Sequence, residues 1–107
     1  MTNTEKIWLL SQEPPQPCCL VDYYQGLLER MGDLICNYGD YLVTEPINCD
    51  EELKRVSTAD YELCCALFTM LFREDHFDNG SFDHRVERGD VKLIVERMRD
   101  LIREELQ

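Results

Sequence analysis

Apolar residues fall in four blocks along the chain, and the spacing inside each block predicts helices. In the first, Ile7, Trp8, Leu9 and Leu10 follow Thr2-Asn3-Thr4-Glu5, a pattern in which a threonine hydroxyl and a glutamate carboxylate satisfy the free amides of a first helical turn. It predicts a short clasp helix over residues 3–10 that packs on the body of the protein. In the second, Leu20, Val21, Tyr24, Leu27, Leu28, Met31, Leu34, Ile35 and Tyr38 recur at steps of three and four. That periodicity predicts one amphipathic helix over 18–38, with Asp22, Gln25, Glu29, Arg30 and Asp33 on its wet face and Gly39 as its stop. The third block, Leu63 to Phe72, is interrupted only by Thr69, so a helix here is apolar on almost every side and belongs at the centre of the core. In the fourth, Val91, Ile94, Val95, Met98, Leu101 and Ile102 form one stripe after Asp90, which predicts the final helix.

Between these blocks the chain is punctuated. Three of the four prolines lie in Ser11 to Pro17, a stiff connector lacking amide donors at those positions. Residues 40–49 lose the helical period, after which Asn48 caps a short helix over about 49–56. Ser57 and Asp60 open the central helix. Arg73, Asp75, His76, Phe77 and Gly80 then form a polar elbow, in which Arg73 is expected to cap the helix end or pair with Asp75 or Asp78, and Phe77 and Phe82 to plug the core. Asp78-Asn79-Gly80 supplies a turn, Ser81 caps a short piece through Glu87, and Gly89 ends it. The expected architecture is all-α: one domain over residues 1–107, a compact bundle of about five helices around a buried central helix at 59–72.

Composition narrows the functional classes. A chain of 107 residues buries roughly 65% of its unfolded surface and folds without staples. The 22 acids and 11 bases give a net charge of −11. Residues 1–58 hold 10 acids and 4 bases, and the remainder 12 and 7, so the acidity belongs to the whole surface. It repels nucleic acid and anionic membranes and attracts cationic partners. The densest stretch comprises Asp40, Glu45, Asp50, Glu51 and Glu52, with no base before Lys54. Of the six cysteines, two pairs are vicinal and Cys64-Cys65 lies in the most apolar block, which points to reduced thiols and a cytoplasmic location. No secretory signal or membrane-spanning run is visible.

From Ala59 to Ile102 the chain resembles a family of small bacterial domains of unknown function. Those domains combine an apolar helix opened by an aspartate with an R-x-x-x-F-x-x-G turn and a final helix entered through a glycine. The matching residues are Asp60, Leu63, Leu67, Arg73, Phe77, Gly80, Gly89, Leu93 and Ile94. Where family members more often carry G-E-R after the arginine, this chain has Glu74-Asp75-His76. The resemblance implies a helical fold and brings no activity with it.

Chemistry is sparse. Arg73, Glu74, Asp75, His76, Asp78 and His84 gather within a dozen residues, but neither C-x-x-C nor H-x-x-x-H spacing occurs, and no metal or other cofactor is expected. Neither histidine adjoins a cysteine, and no nucleophile elbow or phosphate loop is present. On the last helix Arg97, Arg99 and Arg103 alternate with Glu96, Asp100 and Glu104, leaving no basic stripe for nucleic acid. The expected function is therefore that of a non-enzymatic acidic binding protein. In being small, acidic and without motifs, the chain is similar to phage inhibitors of restriction and CRISPR nucleases, which implies a basic nucleic-acid enzyme as partner. Asp40, Glu45, Asp50, Glu51 and Glu52 would make the contact. The alternative is a self-associating structural or regulatory module, a homodimer formed through the 18–38 stripe.

Overall fold

The structure, a computed structural model, describes residues 1–106. It contains six α-helices and, among those residues, no strand: α1 (Asn3–Leu10), α2 (Leu20–Met31), α3 (Cys49–Leu53), α4 (Tyr61–Phe77), α5 (Ser81–Arg88) and α6 (Asp90–Leu106). Two 3-10 turns, Tyr38–Tyr41 and Val56–Thr58, lie between α2 and α4. The all-helical bundle around a buried central helix is as the apolar blocks predict.

Helix α4 is that centre. Every residue from Cys64 to Phe72 is buried, Thr69 included, because neighbours cover the helix all round. Asp60 fixes its start by accepting the Leu63 amide at 2.8 Å. Helix α6 packs along α4 with Val91, Ile94, Val95, Met98 and Ile102 inward, and Arg97 donates to the Ala59 carbonyl at 3.0 Å. Tyr24, Phe68, Phe72 and Phe82 bring α2, α4 and α5 together, with ring centroids 5.2 Å apart for Phe68–Phe72 and 5.4 Å for Phe72–Phe82. Such aromatic pairs stabilise by about 1 kcal/mol each beyond the burial of their area.

The clasp forms as expected. Thr2 accepts the Glu5 amide, Leu9 and Leu10 are buried, and α1 lies against α6. Its position over α4 is fixed by Asp33, which takes Lys6 at 2.9 Å and the Tyr61 hydroxyl at 2.6 Å. Trp8, however, faces outward with 62% of its surface exposed.

Two boundaries differ from the expectation. The predicted helix over 18–38 ends at Met31, because Gly32 takes a left-handed conformation at φ 76°. The Gly32 amide bonds to the Glu29 carbonyl and the Asp33 amide to that of Leu28, a closed helix end that leaves the spiral no continuation. Leu34, Ile35 and Tyr38 still pack against the core, from a loop and a 3-10 turn rather than from one helical stripe. The proposed dimer seam over 18–38 therefore does not exist as a continuous face. Conversely, α4 runs through the first half of the elbow to Phe77.

Candidate functional site

The 40–52 stretch does not fold into one acidic patch. Helix α3 begins where Asn48 accepts the Glu51 amide at 3.0 Å, and this turns Glu52 inward. Glu52 is fully buried, which excludes it as a contact residue. Its carboxylate accepts the amides of Val43 at 3.0 Å and Thr44 at 2.7 Å, the Thr44 hydroxyl, and Arg55 at 2.7 Å. Burial alone would push the carboxyl up, but the Thr44 hydroxyl, Arg55 and the two amides outweigh it and hold the pKa below the ordinary value. Glu52 thus substitutes for backbone partners that the irregular strand-like loop lacks. Asp40, Glu45 and Glu51 are exposed, and Glu51 pairs with Lys54.

Asp50 is drawn away to a different centre, Arg85 of α5. Only 7% of Arg85 is exposed. It donates to Glu74 of α4 from Nε at 3.0 Å and from Nη2 at 2.8 Å, and to Asp90 of α6 and Asp50 of α3 from Nη1. One guanidinium therefore joins four helices. The two-pronged contact holds the Glu74 pKa low and raises that of Arg85, and the same cation lowers Asp50. The sequence carries one signal of this role. Phe82, Arg85 and Val86 stand at helical spacings of three and four, so Arg85 occupies the apolar side of α5 and requires buried anions there.

The elbow likewise divides its residues. Asp75 accepts the amides of Gly80 at 3.1 Å and Phe82 at 3.0 Å, so a side chain of α4 caps α5 across the turn. Gly80 permits this with φ 94°, and Ser81 is the first helical residue rather than the cap. Phe82 is buried as predicted. Phe77 is not: it is 84% exposed, because at the last turn of α4 no element remains to cover it. Arg73, one turn earlier on the same face, is exposed and makes no ion pair or hydrogen bond among the described residues. The expected pairing of Arg73 with Asp75 or Asp78 is absent there. His76 is exposed and lies edge-on to Phe77 at 5.2 Å.

Two clefts flank this end of α4. On one side His76 and Arg73 border a cleft of about 370 Å³ with Asp22, Gln25 and Cys36. On the other, Arg73 and Phe77 border a groove of about 500 Å³ with Tyr38, Pro46, Ile47 and Met70. His84 lines a separate cleft with Asp78 and Arg88. Among the described residues no three His, Cys, Asp or Glu side chains converge as a metal would require. Burial pushes the Cys64 thiol up to about 11 and, with Glu74, the Cys49 thiol up to about 12. Neither is poised as a thiolate. No described helix is long and apolar enough to cross a membrane.

The model of a family of unknown function, DUF6508, matches residues 32–104. The chain belongs to the DUF6508 family. The match begins at the glycine that ends α2 and closes near the end of α6, so it takes in the Arg85 junction, the elbow and all of the central helix. It leaves out α1 and α2. No curated protein and no solved structure matches this DUF6508 chain.

Proposed function

We propose that this protein is a non-catalytic binding protein whose carboxylate-rich surface engages a basic protein surface, most concretely the nucleic-acid groove of a nuclease. The observation that carries this reading is how the cations are used. Lys6, Lys54, Arg55, Arg85, Arg88, Lys92 and Arg103 each lie within 4 Å of a carboxylate of the same chain, and Arg97 and Arg99 donate to Ala59 and Ser11. With seven of the eleven bases paired to carboxylates of the same chain, the surface as a whole keeps the net charge of −11. Asp40, Glu45 and Glu51 remain exposed, and a further group of carboxylates gathers beside Asp40. The Tyr41 hydroxyl donates to Glu62 at 3.3 Å, and the charges of Asp60 and Asp40 act on the same phenol. Desolvation first, and then Glu62, Asp60 and Asp40, raise the Tyr41 pKa. Carboxylates so placed attract a cationic surface at a distance and select it on contact.

The test is affinity capture from a bacterial lysate at low and high salt, with duplex DNA or RNA as competitor. A quadruple variant, Asp40→Lys, Glu45→Lys, Glu51→Lys and Glu62→Lys, is the control. The expected outcome is recovery of a nucleic-acid enzyme at low salt only, displaced by nucleic acid and lost in the variant. Recovery that is unchanged by the four reversals overturns the reading.

A further inference from the structure

The cysteines divide by position. Cys64 and Cys65 are buried in α4, and Cys36 is exposed with no cysteine next to it in the chain. Cys18 and Cys19 are adjacent and both exposed, between the proline connector and α2. In an extended chain, with φ about −120°, successive side chains point to opposite faces. Cys19 instead has φ 59° and ψ 36°, and it is the one non-glycine residue with a positive φ among the described residues. It is thus turned by about half a revolution from the extended value, a conformation unfavourable for any residue with a β-carbon. Its thiol lies within hydrogen-bonding contact of the Cys18 thiol. Neither sulfur is committed to the fold. Cys19 caps no amide of α2 with its side chain, and Cys18 donates only to the exposed Gln16, at 3.5 Å.

We propose that Cys18 and Cys19 form a two-thiol binding site for trivalent arsenicals in which one carbon group stays on arsenic. The arsenic condenses with both thiols: the two S–H bonds and the arsenic–oxygen bonding break, two As–S bonds form, and the oxygen leaves as water with both protons. No electrons are transferred and no co-reactant is required. Three features select this class. Among the described residues no third His, Cys, Asp or Glu converges with the pair, so an ion such as zinc that takes four ligands is not served. An arsenic that already carries one carbon group takes two sulfurs. Adjacent α-carbons stand about 3.8 Å apart, below the roughly 4.4 Å at which disulfides usually begin, so a direct S–S bond is strained. An inserted atom lets the two sulfurs stand farther apart. Finally, such an arsenical is uncharged at neutral pH, and a surface of net charge −11 does not repel it as it repels phosphate or arsenate. The site uses none of the carboxylates assigned to a basic partner and is independent of that reading.

The probe is phenylarsine oxide, added to the reduced full chain and followed by intact-protein mass spectrometry. One arsenical per chain should survive an excess of glutathione, a monothiol, and be removed by the dithiol dimercaptopropanol. An adduct on Cys36 should be stripped by glutathione, because a single sulfur holds it. Cys18→Ser and Cys19→Ser should each lower retention in glutathione by about a hundredfold or more, the advantage of a second attachment within one molecule. Cys36→Ser should leave retention unchanged. All three side chains are exposed, so the helical circular dichroism of each variant should match the parent's. A parent chain with no glutathione-resistant adduct overturns the proposal. So does an adduct that persists in either Cys18→Ser or Cys19→Ser, or one that is lost in Cys36→Ser.

Discussion

Two arginines at the end of the central helix meet opposite fates. Arg85, on α5, is enclosed by Glu74, Asp50 and Asp90, while Arg73, on α4, has Phe77 and open solvent beside it. The difference follows from position on the helix. Arg85 shares a face with Phe82, which is in the core, and is carried inward with it. Arg73 shares a face with Phe77, one turn beyond the last element that covers α4. At the first site the fold fixes the charge; at the second it leaves charge and ring available.

The comparison can be broken most severely at Arg85. Arg85→Ala leaves Glu74 and Asp90, both largely covered, without their cation, and should lower the unfolding free energy by about 3 kcal/mol in urea denaturation. A loss below about 1 kcal/mol would place Arg85 in the same class as a surface ion pair.

The second-largest effect concerns acid sensitivity. The pKa values of Glu52, Glu74 and Asp50 are held below their ordinary values, 4.5 for glutamate and 3.8 for aspartate. On acidification the unfolded chain binds protons first, so stability present at neutral pH should fall as pH drops below about 4.5. Glu52→Gln retains the shape but not the charge, should cost about 2 kcal/mol at pH 7, and should flatten that decline in a pH series of urea midpoints. A variant with the parent's acid profile would show that Glu52 contributes nothing to it. Smallest of all, Arg73→Ala and Phe77→Ala should each change the stability of the monomer by less than about 0.5 kcal/mol in the same assay.

What the sequence disclosed was whatever depends on neighbours a few residues away. Asp60 and Asn48 as caps, the α6 stripe and the all-round burial of Cys64 to Phe72 all rest on local periodicity and hydrogen bonding. What it concealed depends on where other elements stop. The heptad-like run past Met31 continues to Tyr38 because loop residues that reach the same core mimic a helical stripe, and only the conformation of Gly32 separates the two cases. Five carboxylates between Asp40 and Glu52 read as one patch, yet Glu52 serves a loop on its inner side and Asp50 serves Arg85, thirty-five residues away. Phe77 looked like core because aromatic residues usually are, and its exposure follows from the absence of a covering element that no local pattern encodes.

Asp75 has a further bearing on how this chain can vary in length. Its carboxylate spans the turn from the last turn of α4 to the amides of Gly80 and Phe82, so the number of residues in between is set by the reach of one short side chain. Surface connections ordinarily tolerate insertions, since little is lost when they lengthen. Here one added residue would carry both amides out of register, uncap α5, and rotate Arg85 away from Glu74. The proline connector before α2 has no such tether holding its two ends together, so it is the place where length can change without disturbing the four-helix junction.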